Sequence, residues 1–283
     1  MSGVLLSLPL RLAGAYRRTF SGDPGAWPEP DGQAAGDDRG GLGRLTAVAS
    51  ILLRDVGRVQ PPIDMVVLSR TAPGTESRTA TGTESRTATG ADRPSPVGHA
   101  LVDAVAGGPT TLFLPELSRG APFTGLRLAA SGPAGDPLAQ VLVLVLENRT
   151  LCWDGPGRPP TVDTGVALLL RRVPSGDTGI RLQEHADVGP DEIREVLASQ
   201  LAVVAGGTAL VMAGLSIAIG QCDGLGFPVT YSAVTALCTS NWELLAAATA
   251  ARRPGEPPIQ AVLVEYDSVR RLLCLAAIDL PDR

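Results

Sequence analysis

Two residues have the type and setting of a nucleophile. Ser118 lies in "PELSRGAPFTGLRLAA" (115–130), which reads as the end of a buried strand, a tight small-residue bend and the start of a helix. Cys238 lies in "ALCTSNWE", just ahead of a helix start marked by the capping types Thr239, Ser240 and Asn241, with Glu243 three residues after Ser240. A helix N-terminus offers unpaired N–H groups and the positive end of the backbone dipole, and both favour a thiolate and an oxyanion. The alternative for Cys238 is a small apolar filler at a backbone bend.

A serine nucleophile needs a base, because its hydroxyl is barely ionised at neutral pH. The chain has two histidines. His99, in "SPVGHALVDAV", reads as a surface or capping residue of a helix, and His185, in "LQEHADVGPDEI", as solvated in a charged loop. All 24 basic residues are arginines, so Schiff-base and lysine-base mechanisms are excluded. Arg119 beside Ser118 could meet a carboxylate or phosphate, or pair with Glu116 or a partner chain. The four cysteines (Cys152, Cys222, Cys238, Cys274) show no CxxC spacing and read as reduced, buried thiols. Cys222 and Asp223, in "GQCDGLGFP", have no phosphate-binding spacing, and no metal or cofactor is expected.

These residues need elements to hold them. Hydrophobic residues make up 44% of the chain and charged ones 19%, a globular balance. A net charge of −5 gives no reason to expect nucleic acid or an anionic membrane as partner. "LTAVASILLRDVG" and "SPVGHALVDAVAGG" read as helices. "GVLLSLPLRLAG" reads as a single first strand, "PIDMVVLSR" and "TTLFLPEL" as strands, and "AQVLVLVLENRTL" as a strand covered on both faces. "TGVALLLRRV" is a further strand. "LAVVAGGTALVMAGLSIAIG" (201–220) is long enough to span a membrane, but its four glycines fit a buried helix or strand–helix unit better. Residues 20–43 and a segment of about 72–94 read as exposed loops, the second holding GTESRTAT twice in tandem.

The second part of the chain repeats the order of the first. "NWELLAAATAARRPGEPPIQAVLVEYDSVRRLLCLAAIDL" parallels "FTGLRLAASGPAGDPLAQVLVLVLENRTLCWDG…VALLLRRV": a small-residue helix, a Gly/Pro turn, a strand with an acid near its end (Glu147, then Asp267) and another strand. "GPDEIREVLASQLAVVAGG" sets itself beside "VQPPIDMVVLSR". The echo implies two pseudo-symmetric halves, 1–180 with the exposed repeat-containing loop, and 181–283.

On these stretches the chain resembles the thiolase-like superfamily, and within it the initiating (type-three) ketoacyl-ACP synthases. The resemblance implies a layered α/β/α/β/α fold. It matches "FLPELSRGAPFTGLRLAA" to the strand, elbow and helix that hold the family's catalytic cysteine, "VVAGGTAL" to its histidine stretch and "LCTSNWELLAAA" to its asparagine stretch. At those places the sequence offers Leu117, Ser118 or Arg119, then Gly206 or Gly207, then Leu237 or Cys238, so the Cys-His-Asn set is missing as a whole. The resemblance therefore implies a cytoplasmic pseudoenzyme, like the non-catalytic subunit of the alkylquinolone-forming heterodimeric condensing enzyme. Its partner would be a catalytically competent ketosynthase-like chain, with a homodimer as the other possibility, and acyl-CoA or acyl-carrier protein would be the ligand of the complex. The competing expectation is an acyltransferase or condensing variant acting through Ser118 or Cys238.

Overall fold

The structure, a computed structural model, describes residues 3–20, 48–56, 63–70, 110–114, 119–131, 140–147, 162–174, 179–205, 208–232 and 238–282. Ser118, His99 and Cys152 lie outside them, as do the tandem repeat, the helix expected around His99 and Glu116, Leu117, Gly206, Gly207 and Leu237.

Eleven strands form two sheets among the described residues. The first comprises β2 (Leu10–Phe20), β3 (Met65–Arg70), β4 (Thr110–Leu114), β5 (Gln140–Glu147) and β6 (Asp163–Arg172), in the order β2-β6-β5-β3-β4. The second adds β1 (Val4–Leu8) to β7 (Ile180–His185), β8 (Ala209–Ala213), β9 (Val229–Tyr231), β10 (Gln260–Asp267) and β11 (Leu272–Asp279), in the order β1-β7-β11-β10-β8-β9. Without β1 the two orders are the same. In each sheet the central strand pairs parallel on one side and antiparallel on the other: β5 with β3 and β6, β10 with β8 and β11.

Alternation along β5 explains its unbroken apolar run. Val141, Val143 and Val145 face a central layer, while Leu142, Leu144 and Leu146 face the helical residues 48–56 (α1). Two helices fill the central layer, α2 (Ala121–Ser131) and α4 (Ser240–Ala251), and α3 (Ile193–Ala205) covers the outer face of the second sheet. The result is α/β/α/β/α, as expected. α1 settles closely on β6 because Gly165 lies beneath it; a Cβ there would come within 2.6 Å of Val48 Cγ1. Arg172 ties the far end of α2 in place by donating to the carbonyls of Ala129 and Ala130 at 3.5 and 3.4 Å.

Three expectations are corrected. The opening apolar stretch is two strands in different sheets, parted at Pro9, whose carbonyl accepts from the Val173 N–H at 3.1 Å. Residues 193–205 are helical and correspond to α1, so they do not echo the strand "PIDMVVLSR"; β8 does, pairing parallel to β10 as β3 does to β5. The 201–220 stretch is the end of α3 followed by β8. No helix among the described residues is long and apolar enough to cross a membrane.

Candidate functional site

The two central helices begin side by side at the C-terminal ends of the parallel strands, the edge where open α/β sheets place their ligands. Phe123 and Trp242, each third in its helix and each fully buried, meet edge to face with ring centroids 5.1 Å apart. Around this contact lie the residues that the symmetric halves bring together.

Cys238 precedes α4, as expected, and it belongs to the central core. Its backbone N–H donates to Glu147 Oε2 at 3.0 Å, and the Thr239 N–H and Oγ1 donate to the same oxygen at 3.3 and 3.2 Å. Glu147, fully buried at the end of β5, therefore holds the two residues that lead into α4. Burial and the neighbouring Glu147 push the Cys238 thiol well above its ordinary range, opposite to the drift a helix N-terminus alone would give. Glu243, in the first turn of α4, accepts from Thr164 Oγ1 at 3.0 Å and Thr239 Oγ1 at 3.3 Å, and burial raises its pKa.

The second carboxylate is Glu265, two residues before the end of β10 and 2% exposed. It shares the inward parity of Leu263, which aims it at the helix starts. Ser216 Oγ donates to its Oε1 and Ser240 Oγ to its Oε2, the latter at 3.3 Å; Arg119 Nη1 stands 3.7 Å from Oε1. Desolvation pushes the Glu265 carboxyl up to about 7, with Arg119 and Ser216 pulling the other way. The carboxylate occupies the space beside Gly214, the residue after β8, where any Cβ would collide with it. Arg119 thus pairs with Glu265, a partner that sequence reasoning missed. The signal was present: an acid inside the apolar run "AVLVEYD" is a buried charge that requires a partner.

Other expected residues fall elsewhere. His185 is not solvated: it ends β7 opposite Leu273, is 1% exposed and lies under Gly3, and desolvation lowers its pKa. Cys222 is buried in the outer core, its thiol raised to about 11 by burial and by Asp223. No disulfide joins the described cysteines, and no group of acids, cysteines and histidines among the described residues has metal-binding geometry.

Solved structures of condensing enzymes share this layered fold, and the chain is similar to them in fold. Over 98% of this chain and 97% of the other, it superposes on the priming β-ketosynthase of the R1128 polyketide pathway with a TM-score of 0.59 at 15% identity. The 3-oxoacyl-(acyl-carrier protein) synthase of Burkholderia xenovorans LB400 gives 0.58 at 14% identity, covering 99% and 96%. The acyltransferase ChlB3 gives 0.58 at 14% identity, covering 96% and 98%. No protein-family model matches the sequence, and no curated protein matches it.

Proposed function

We propose that the chain is a condensing-enzyme-fold subunit that performs no condensation itself and works in the cytoplasm beside a catalytically competent ketosynthase-like chain. The product of the pair would be a secondary metabolite of polyketide, fatty-acid-derived or quinolone type. The observation that carries this reading is the Glu147 carboxylate on the N–H groups of Cys238 and Thr239, the two residues just before α4. A thioester oxyanion formed at Cys238 would need those donors free. Here the donors are given to a buried internal acceptor, and a second carboxylate, Glu265, stands beside Gly214. A thiol held protonated by burial adds to the case against Cys238.

What remains useful in such a subunit is shape: it completes a partner's pocket and excludes water from it. The experiment is co-expression with an intact ketosynthase-like chain from the same gene neighbourhood, followed by size-exclusion chromatography and an assay with acyl-CoA and acyl-carrier protein. A stable heterodimer whose product formation requires both chains supports the reading. The rival, acyl transfer through Ser118 or Cys238, is tested on the isolated chain with labelled acyl-CoA and peptide mass spectrometry. A covalent acyl group on either residue would overturn the proposal, as would a homodimer indifferent to the neighbouring chain.

A further inference from the structure

At the opposite edge of the sheets, by the first residues of β5 and β10, a cavity of about 480 Å³ opens between the β2–β6 pair and the end of β11. Its walls include Arg11, Arg171, Leu12, Val173, Leu280 and Asp279. Arg171 pairs with Gln140, the first residue of β5, whereas Glu147 is the last, so this cavity is remote from the carboxylates described above.

Arg11 and Arg171 face each other directly in the antiparallel register of β2 and β6. Side chains so placed stand on one face about 5 Å apart at Cβ, and like charges there destabilise the pair. Neither guanidinium has a hydrogen bond or ion pair with an acid among the described residues. The carboxylates at the rim are engaged elsewhere: Asp279 Oδ1 accepts from Gln260 Nε2 at 2.6 Å, and Asp282 Oδ1 lies 3.6 Å from Arg252 Nη2. Leu12, Val173 and Leu280, all largely buried, supply an apolar floor. The volume falls within the range of roughly 300–1,000 Å³ typical of small-molecule sites.

We propose that this cavity binds an amphiphilic anion, its carboxylate or phosphate head held between Arg11 and Arg171 and its short apolar body laid against Leu12, Val173 and Leu280. Two planar guanidinium forks on one face of a strand pair, both lining the cavity, suit a bidentate oxyanion, and the bound charge relieves their mutual repulsion. The site is independent of condensation chemistry and of its absence.

Isothermal titration of the full chain tests it with four probes: hexyl phosphate, hexanoate, inorganic phosphate and hexyltrimethylammonium. Saturable binding is expected for the two amphiphilic anions, and their ranking separates a phosphate head from a carboxylate. Inorganic phosphate should bind more weakly than hexyl phosphate, and the ammonium not at all. Arg11→Gln and Arg171→Gln, both exposed and expected to fold, should each weaken binding about tenfold or more, while Arg270→Gln at the other edge should leave it unchanged. The proposal fails if neither amphiphilic anion saturates, if the cation binds as well, if inorganic phosphate matches hexyl phosphate, or if the two substitutions leave affinity unaltered.

Discussion

Phe123 and Trp242 occupy equivalent positions in the two halves and touch each other, edge to face, where the central helices begin. Truncating either to alanine should cost about 3–5 kcal/mol, the range for large buried aromatics. A double-mutant cycle in urea should find a coupling of about 0.5–1.5 kcal/mol between them. Trp242→Phe should cost far less, because the indole N–H has no hydrogen-bond acceptor among the described residues.

Glu147 should prove to be a structural residue. Glu147→Ala leaves the N–H groups of Cys238 and Thr239 and the Thr239 hydroxyl without their acceptor inside the protein. The expected loss is about 3 kcal/mol. Glu147→Gln, which keeps one carbonyl oxygen, should lose about 1 kcal/mol. Urea midpoints at constant slope report both, and equal stability of all three proteins would contradict the assigned role.

Cys238 should resist chemistry. With the thiol buried and its pKa raised, iodoacetamide at pH 8 should leave it intact in the folded protein and modify it once guanidinium unfolds the chain. Peptide mass spectrometry reads the outcome. Rapid alkylation of the native chain at Cys238 would show an open, ionised thiol and contradict the packing described.

Glu265 should make stability depend on pH. Its carboxyl titrates near 4.5 when unfolded and about 7 when folded, so across that window the folded protein holds a proton that the unfolded chain has released. The contribution is complete below pH 4.5 and is lost as pH rises to about 7, an amount of about 3 kcal/mol. Denaturant titrations at pH 5 and pH 8 should show this fall, and Glu265→Gln should flatten it relative to the unsubstituted protein. Arg119→Gln should steepen it, because the guanidinium favours the charged form. A pH profile unmoved by Glu265→Gln would refute the assignment.

Much of the fold could be read from the sequence because local pattern and global packing agree. The run Gln140–Glu147 is apolar on both faces because helices lie on both sides of it, and a continuous apolar strand bounded by turns states that directly. The repeat of helix, turn and paired strands was legible in the same way. Where reading failed, the deciding contact was distant. Pro9 interrupts an apolar run that has no other local break, and only the partners, β7 for one side and β6 for the other, make it two strands. His185 sits among charged neighbours in sequence, yet strand pairing with Leu273 buries it. Arg119 and Glu265 are separated by most of the second half, and no spacing rule connects them. The helix expected after the bend is present, entered by a turn at residues 119–120, while Ser118 itself lies outside the described residues.

The sheet exchange at Pro9 has a consequence for biogenesis. Val4–Leu8 is made long before Ile180–His185, against which it is laid and which is itself wedged beside Leu272–Asp279. On the ribosome that leading ribbon has no mate until the remainder has been translated, so closing so long a span is entropically slow and leaves a sticky edge waiting meanwhile. A chain severed between its halves would therefore keep the first sheet whole and leave the second fragment without the Val4–Leu8 ribbon that the first one holds.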